Sequence, residues 1–178
     1  MNNLPEISLK KCNVIRSICL LLFVFYLIVA FLRIFVVKNV YPFAIYDYPW
    51  QFHVFSKNYI GRVVRCINLL PFTSIVHWIK AYFNETINTN IICYNLFTPI
   101  LAAIPFGFFH YAISKNRCFS KSLLMFIVII SIVFVVRLLI TIGYYDIDKV
   151  ILCSIGYSFG YACAKTVHCV FKKISARF

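Results

Sequence analysis

The chain reads as long apolar runs separated by short polar joints. From 17 to 37 nearly every position is hydrocarbon, and Arg33 near the end is the one charge. About 20 such residues cross the core of a bilayer as a helix, so this run predicts a first crossing. It is longer than the apolar region of a signal peptide and has no evident small-residue cleavage site, so it reads as signal and anchor together. Further runs at 91–113, 122–142 and 150–171 predict three more crossings. The joints at 114–121 and 143–149 are short enough to link only antiparallel neighbours. The expected fold is all-α: a polytopic membrane protein with four transmembrane helices in an antiparallel bundle and a long aromatic-rich outer loop. A cytoplasmic segment at 1–16 precedes the membrane domain at 17–171, and a basic tail at 172–178 follows it.

The segment at 38–90 is that loop. Aromatic rings crowd its first part, among them Tyr41, Tyr46, Trp50 and Phe55, a density expected where rings sit at headgroup level. Farther on, 73–84 has helical periodicity, with Ile75, Ile79 and Tyr82 on one face and His77, Lys80 and Asn84 elsewhere on the turn. Two readings stay open here: an amphipathic helix lying on the membrane, or a packed outer loop.

Charge then orients the bundle. A net charge of +13 would suggest nucleic acid for a soluble protein, but here the basic residues flank the apolar runs. Topology explains that placement, and no nucleic-acid partner is expected. Lys10, Lys11 and Arg16, then Lys115, Arg117 and Lys121, then Lys172, Lys173 and Arg177 place both termini and the 114–121 joint inside. Asp146 and Asp148 suit the 143–149 joint to the outer face.

Candidate chemistry is sparse. The 8 cysteines have neither metal-type spacing nor an obvious disulfide partner, and most read as small hydrophobes in helices. No pair among the 4 histidines has the spacing of a zinc site. No phosphate loop or nucleophile elbow is present, so no metal, no cofactor and no recognisable catalytic constellation is assigned. Arg137 stands out, because a charge late in an apolar helix costs about 2.5–3.5 kcal/mol on insertion scales. It either snorkels to the outer interface or pairs with Asp146 or Asp148 as an anion-binding group. Gly156, Gly160 and Ala164 recur every four residues, a stripe that admits a close helix neighbour. Pro99, Pro105 and Gly107 can kink the second crossing.

Three segments, in order, resemble the VanZ-like membrane protein family, named for a protein associated with resistance to the glycopeptide teicoplanin. Arg65-Cys66-Ile67-Asn68-Leu69-Leu70-Pro71-Phe72 is similar to its Arg-x-x-Asn-Leu-x-Pro-Phe segment. Ile104-Pro105-Phe106-Gly107-Phe108 is similar to its Pro-Phe-Gly or Pro-Leu-Gly stretch. Asp146-Ile147-Asp148-Lys149-Val150-Ile151, continued to Gly156 and Gly160, resembles its Asp-Ile-x-Asp-Val-Ile signature and the paired glycines after it. The resemblance spans about residues 65–161. Departures are concentrated at polar positions. The family's second signature Asp falls on Lys149 and its Asn on Cys153. Its membrane Glu and Gln fall on Phe134 and Arg137, and its polar residue in the second helix falls on Pro99. Arg65, Asn68 and Asp146 are retained.

The resemblance implies a place in the bacterial cytoplasmic membrane, as part of the cell envelope, and a contribution to tolerance of teicoplanin-type glycopeptides. Replacing a carboxylate by Lys149 and adding Arg137 makes the local charge cationic. The expected activity is therefore binding of an anionic lipid or lipid-linked cell-wall precursor, with Arg65, Asn68, Arg137, Asp146 and Lys149 as candidate ligand contacts. Pro105, Gly107, Gly156 and Gly160 are the expected packing residues. Two alternatives stay open: a membrane-embedded enzyme acting on an envelope lipid, and an interaction subunit, homo-oligomeric or not, held by its Gly156 and Gly160 face.

Overall fold

The computed structural model describes residues 4–32, 59–114, 118–140 and 143–175, some of them, Arg65 included, by backbone alone. The aromatic stretch at 41–55 and Arg33 lie outside the described residues. In chain order the elements are α1 (Leu4–Phe31), α2 (Tyr59–Arg65), β1 (Ile67–Asn68), α3 (Thr73–Phe83), α4 (Thr89–Ile113), α5 (Phe119–Leu139), β2 (Tyr145–Asp146) and α6 (Ile147–Ser175).

Among the described residues three helices are long and apolar enough to cross a membrane: α4, α5 and α6 from Ile147 to Val170. The described apolar part of α1, Arg16–Phe31, is shorter. At 1.5 Å per residue it covers about 24 Å. Helix ends differ from the hydropathy edges in an informative way. α1 reaches back to Leu4 through Lys10 and Lys11, and α6 begins at Ile147, so its first turn holds Asp148 and Lys149. Hydropathy marks where polar side chains begin; the backbone hydrogen-bond ladder continues past that point.

α4 and α6 are the closest pair, and they run in the same direction. Gly156 of α6 lies against Ile100 of α4, Gly160 against Ile104, and Gly107 against the backbone of Tyr157 and Tyr161. A Cβ on Gly156 or Gly160 would overlap the carbonyl of Ile100 or Ile104, and one on Gly107 that of Tyr157. Only glycine permits this approach. α4 runs unbroken through both Pro99 and Pro105. α5 packs antiparallel to α6: the Phe126 ring stacks on Tyr157 at 4.5 Å, and Phe119 meets Tyr161 at 5.2 Å. α1 lies antiparallel along α4, where Tyr26 donates to the Ala102 carbonyl and Phe23 sits 5.7 Å from Phe109. The core between α4, α5 and α6 gathers Ala103, Phe126, Phe134, Cys153, Tyr157 and Tyr161.

One feature at the head end, where α6 begins, has no hydropathy signal. β1 and β2 pair in parallel, Ile67 with Tyr145 and Asn68 with Asp146, and Tyr145 N–H donates to the Cys66 carbonyl at 2.9 Å. The 143–149 joint is thereby sewn to the segment before α3. A second cluster, Trp78, Ala81 and Ile92, seats α3 on the first turns of α4.

Candidate ligand site at the head of α6

The site grows from how α3 begins. Phe72 occupies the N-cap position with φ 67° and gives the helix no side-chain cap. A non-glycine residue in the left-handed region costs roughly 1–3 kcal/mol, and an uncapped helix leaves its first amides without partners. Asp148 answers both from the far end of the chain. Its carboxylate accepts from the amides of Phe72, Ser74 (2.7 Å) and Ile75 (3.1 Å). Negative charge at the helix N-terminus adds a favourable dipole interaction.

Asp146 forms the second half of the clasp. Its Oδ1 accepts from Asn68 Nδ2 at 3.2 Å and from the Asp148 amide at 3.1 Å. Asn68 Nδ2 also reaches Ser74 Oγ at 3.0 Å, while its Oδ1 accepts from the Leu70 amide. Asp146 and Asp148 are 3% and 1% exposed, so both carboxylates work inside the protein.

Among the described residues no ion pair joins Arg137 to either aspartate, so of its two open readings the pairing is not the one found. Amide donors occupy both oxygens of Asp148 and Oδ1 of Asp146. Arg137, in the last turn of α5, instead lies beside Gly143, whose added Cβ would stand 3.4 Å from the guanidinium carbon. Gly143 N–H donates back to the Arg137 carbonyl at 3.2 Å. The Arg137 Nε is buried with no hydrogen-bond partner. Lys149 Nζ donates to the Tyr144 hydroxyl and lies 4.3 Å from that ring's centre, a cation–π arrangement. Lys149 is near enough for the charge of Asp146, and less strongly that of Arg137, to act on it. Burial pushes the Tyr144 hydroxyl well above its ordinary pKa; the Asp146 charge pushes the same way, and Arg137 partly offsets it.

Of the residues singled out in sequence, the structure brings Asn68 onto Asp146, while Lys149 contacts Tyr144 and Arg137 lies beside Gly143. The side chain of Arg65, at the end of α2, lies outside the described residues. Pro105 is half-buried within α4, and the Gly107, Gly156 and Gly160 faces are filled by the chain's own helices. That filled face is not available to a partner, which removes the reading of an interaction subunit held by it. Sequence reasoning missed the capping role of Asp148, and with it Ser74 and Tyr144. A signal was present: a helix start at Thr73 preceded by Pro71 and Phe72, with no acidic residue in its first turn, calls for an acceptor elsewhere. A lateral groove of about 480 Å³ includes Ile127, Ile151, Ser154 and Ser158 in its lining, and neither Arg137 nor Lys149 lines it. Among the described residues no group of His, Cys, Asp and Glu is arranged to hold a metal.

Membrane-length helices packed through glycine, with a polar clasp closing one end, define a polytopic membrane protein. A family model described as VanZ/LLP1 matches residues 18–170, and the chain belongs to that family. Searches of curated proteins and of solved structures return no match.

Proposed function

We propose that this VanZ-family protein binds the anionic headgroup of an envelope lipid or lipid-linked precursor at the head of α6. One observation carries the reading: the Arg137 Nε is buried without a partner at the end of α5, close to the joint where Lys149 meets Tyr144, while both oxygens of Asp148 and Oδ1 of Asp146 accept from amides. A buried guanidinium nitrogen without an acceptor is costly, and a phosphate or carboxylate oxygen would supply one. In this reading the protein crosses the bacterial cytoplasmic membrane four times with both termini inside. The antiparallel packing of α1 on α4 and the basic segments at both ends support it. A contribution to tolerance of teicoplanin-type glycopeptides is the cellular consequence proposed for such binding.

The test is lipid retention in native mass spectrometry after purification from mixed phosphatidylglycerol and phosphatidylcholine. The protein retains phosphatidylglycerol preferentially, and R137Q/K149Q lowers that preference at least several-fold while eluting as a folded monodisperse species. An unchanged preference in the folded double variant overturns the headgroup site. Susceptibility of a deletion strain to teicoplanin tests the cellular consequence separately.

A further inference from the structure

The surface of α3 divides into three sides, and two of them are exposed. At about 100° per residue, Ser74, Trp78 and Ala81 share one side; Trp78 and Ala81 are buried against Ile92 of α4. Ile75, Ile79 and Phe83 follow at four-residue intervals along the next, with Val76 beside them. Thr73, His77 and Lys80 make the third. The apolar exposed side is not incidental: Phe83 is 77% exposed and Ile79 44%, and the turn leading into the helix exposes Leu69, Leu70 and Phe72 as well.

Position decides what covers that side. α3 is pinned at its N-terminus to Asp148, in the first turn of α6, and along its length to Ile92, near the start of α4. Both contacts lie at the same end of helices long enough to cross a membrane. Among the described residues α3 packs on α4 and on the first turn of α6, and at that end of the membrane-length helices its exposed sides meet water and the edge of a bilayer. Its exposed half splits into apolar and polar sides, as an interfacial helix requires. Lys80, on the polar side, suits anionic headgroups.

We infer that α3 is an interfacial helix, seated with Ile75, Ile79 and Phe83 at the headgroup–acyl boundary of the lipid leaflet and Thr73, His77 and Lys80 toward water. The Asp148 clasp fixes its depth by tying its first turn to the head of α6.

The experiment places the photoreactive amino acid p-benzoyl-phenylalanine at single positions and reads lipid adducts by mass spectrometry. The full chain is reconstituted in vesicles of phosphatidylcholine and phosphatidylglycerol at 3:1. Positions 79 and 83 are expected to give adduct yields within about twofold of position 132, an exposed site in the middle of α5, and at least fivefold those at 77 and 80. Yields at 79 and 83 that fall to those at 77 and 80, while 132 labels strongly, overturn the proposal. Hydroxyl-radical footprinting of the unmodified protein in the same vesicles gives a reading independent of any substitution. Phe83 stays protected while His77 is oxidised; oxidation of Phe83 at a rate comparable with His77 overturns the proposal.

Discussion

Asp148 is the residue whose loss is most informative, because it joins two segments distant in sequence through backbone amides alone. In Asp148→Ala the amides of Phe72, Ser74 and Ile75 lose their acceptor, and Phe72 keeps its left-handed backbone without the contact that holds it. Losing an ordinary N-cap costs about 0.5–2 kcal/mol, which sets a floor. Hydrogen bonds to charged groups contribute about 1.5–3 kcal/mol each, so three taken independently set a ceiling of roughly 5–9 kcal/mol. The three share one carboxylate, and Phe72 is exposed enough for water to replace part of its bond. An intermediate loss of about 3 kcal/mol is expected. Asp148→Asn keeps one acceptor oxygen and replaces the other by an N–H₂ group facing an amide donor, so it should lose about half as much. Unfolding by added dodecyl sulfate in mixed micelles measures the loss, and limited proteolysis within 69–84 reports whether α3 is released before the bundle opens. Asp148→Ala with unchanged stability and an unchanged cleavage rate would show that the clasp does not hold α3.

Two further predictions rest on other contacts. Gly160→Ala forces a methyl group into the Ile104 carbonyl, and such overpacking costs about 1–3 kcal/mol or more; folded protein recovered by fluorescence-detected size exclusion should fall several-fold, whereas Gly61→Ala, with nothing within 4 Å, should leave recovery unchanged. Because the Tyr144 pKa is raised in the fold, the native state holds that proton where the unfolded chain releases it, so Tyr144 makes stability fall as pH rises beyond its ordinary value of 10.0. Melting curves between pH 8 and about 11 should show a shallower alkaline decline for Tyr144→Phe than for the parent; equal slopes would refute the assignment.

The membrane helices were legible because bilayer physics writes them in composition: α4, α5 and α6 lie where the apolar runs do. The glycine positions were legible too, since four-residue spacing of small side chains in an apolar helix has few other uses, although nothing in the pattern said that α4 would fill the face. α3 was legible through its periodicity. The clasp was not. Asn68 and Asp146 meet across 78 residues, and Ser74 and Asp148 across 74, through a two-residue strand pair that has no periodicity to detect. Hydropathy treats Asp146 and Asp148 alike, as polar residues in a joint. Only the fold shows that Asp148 caps a helix and Asp146 supports a strand partner.

The placement of the family departures bears on what the protein can bind. The positions where the resemblance puts a Glu and an Asn hold Phe134 and Cys153, and both are buried in the same hydrophobic core. Two separate losses of polarity thus fall on one spot, and they make it dry together. The polar groups that remain stand nearer the head end: Arg137 lies three residues beyond Phe134 toward the end of α5, and Lys149 one turn before Cys153. Asn95 likewise lies one turn before Pro99, where it donates to the Ile91 carbonyl of its own helix. A ligand held deep between the helices would leave its polar atoms unpaired among Phe134, Phe126 and Cys153, a desolvation cost of about 1–3 kcal/mol for each. A headgroup at the level of Arg137 and Lys149 would instead meet charged donors that offset its desolvation, and its acyl chains would remain in the bilayer. The same substitutions that remove the family's inner polar positions therefore leave the head end as the place where the proposed headgroup contact is least costly.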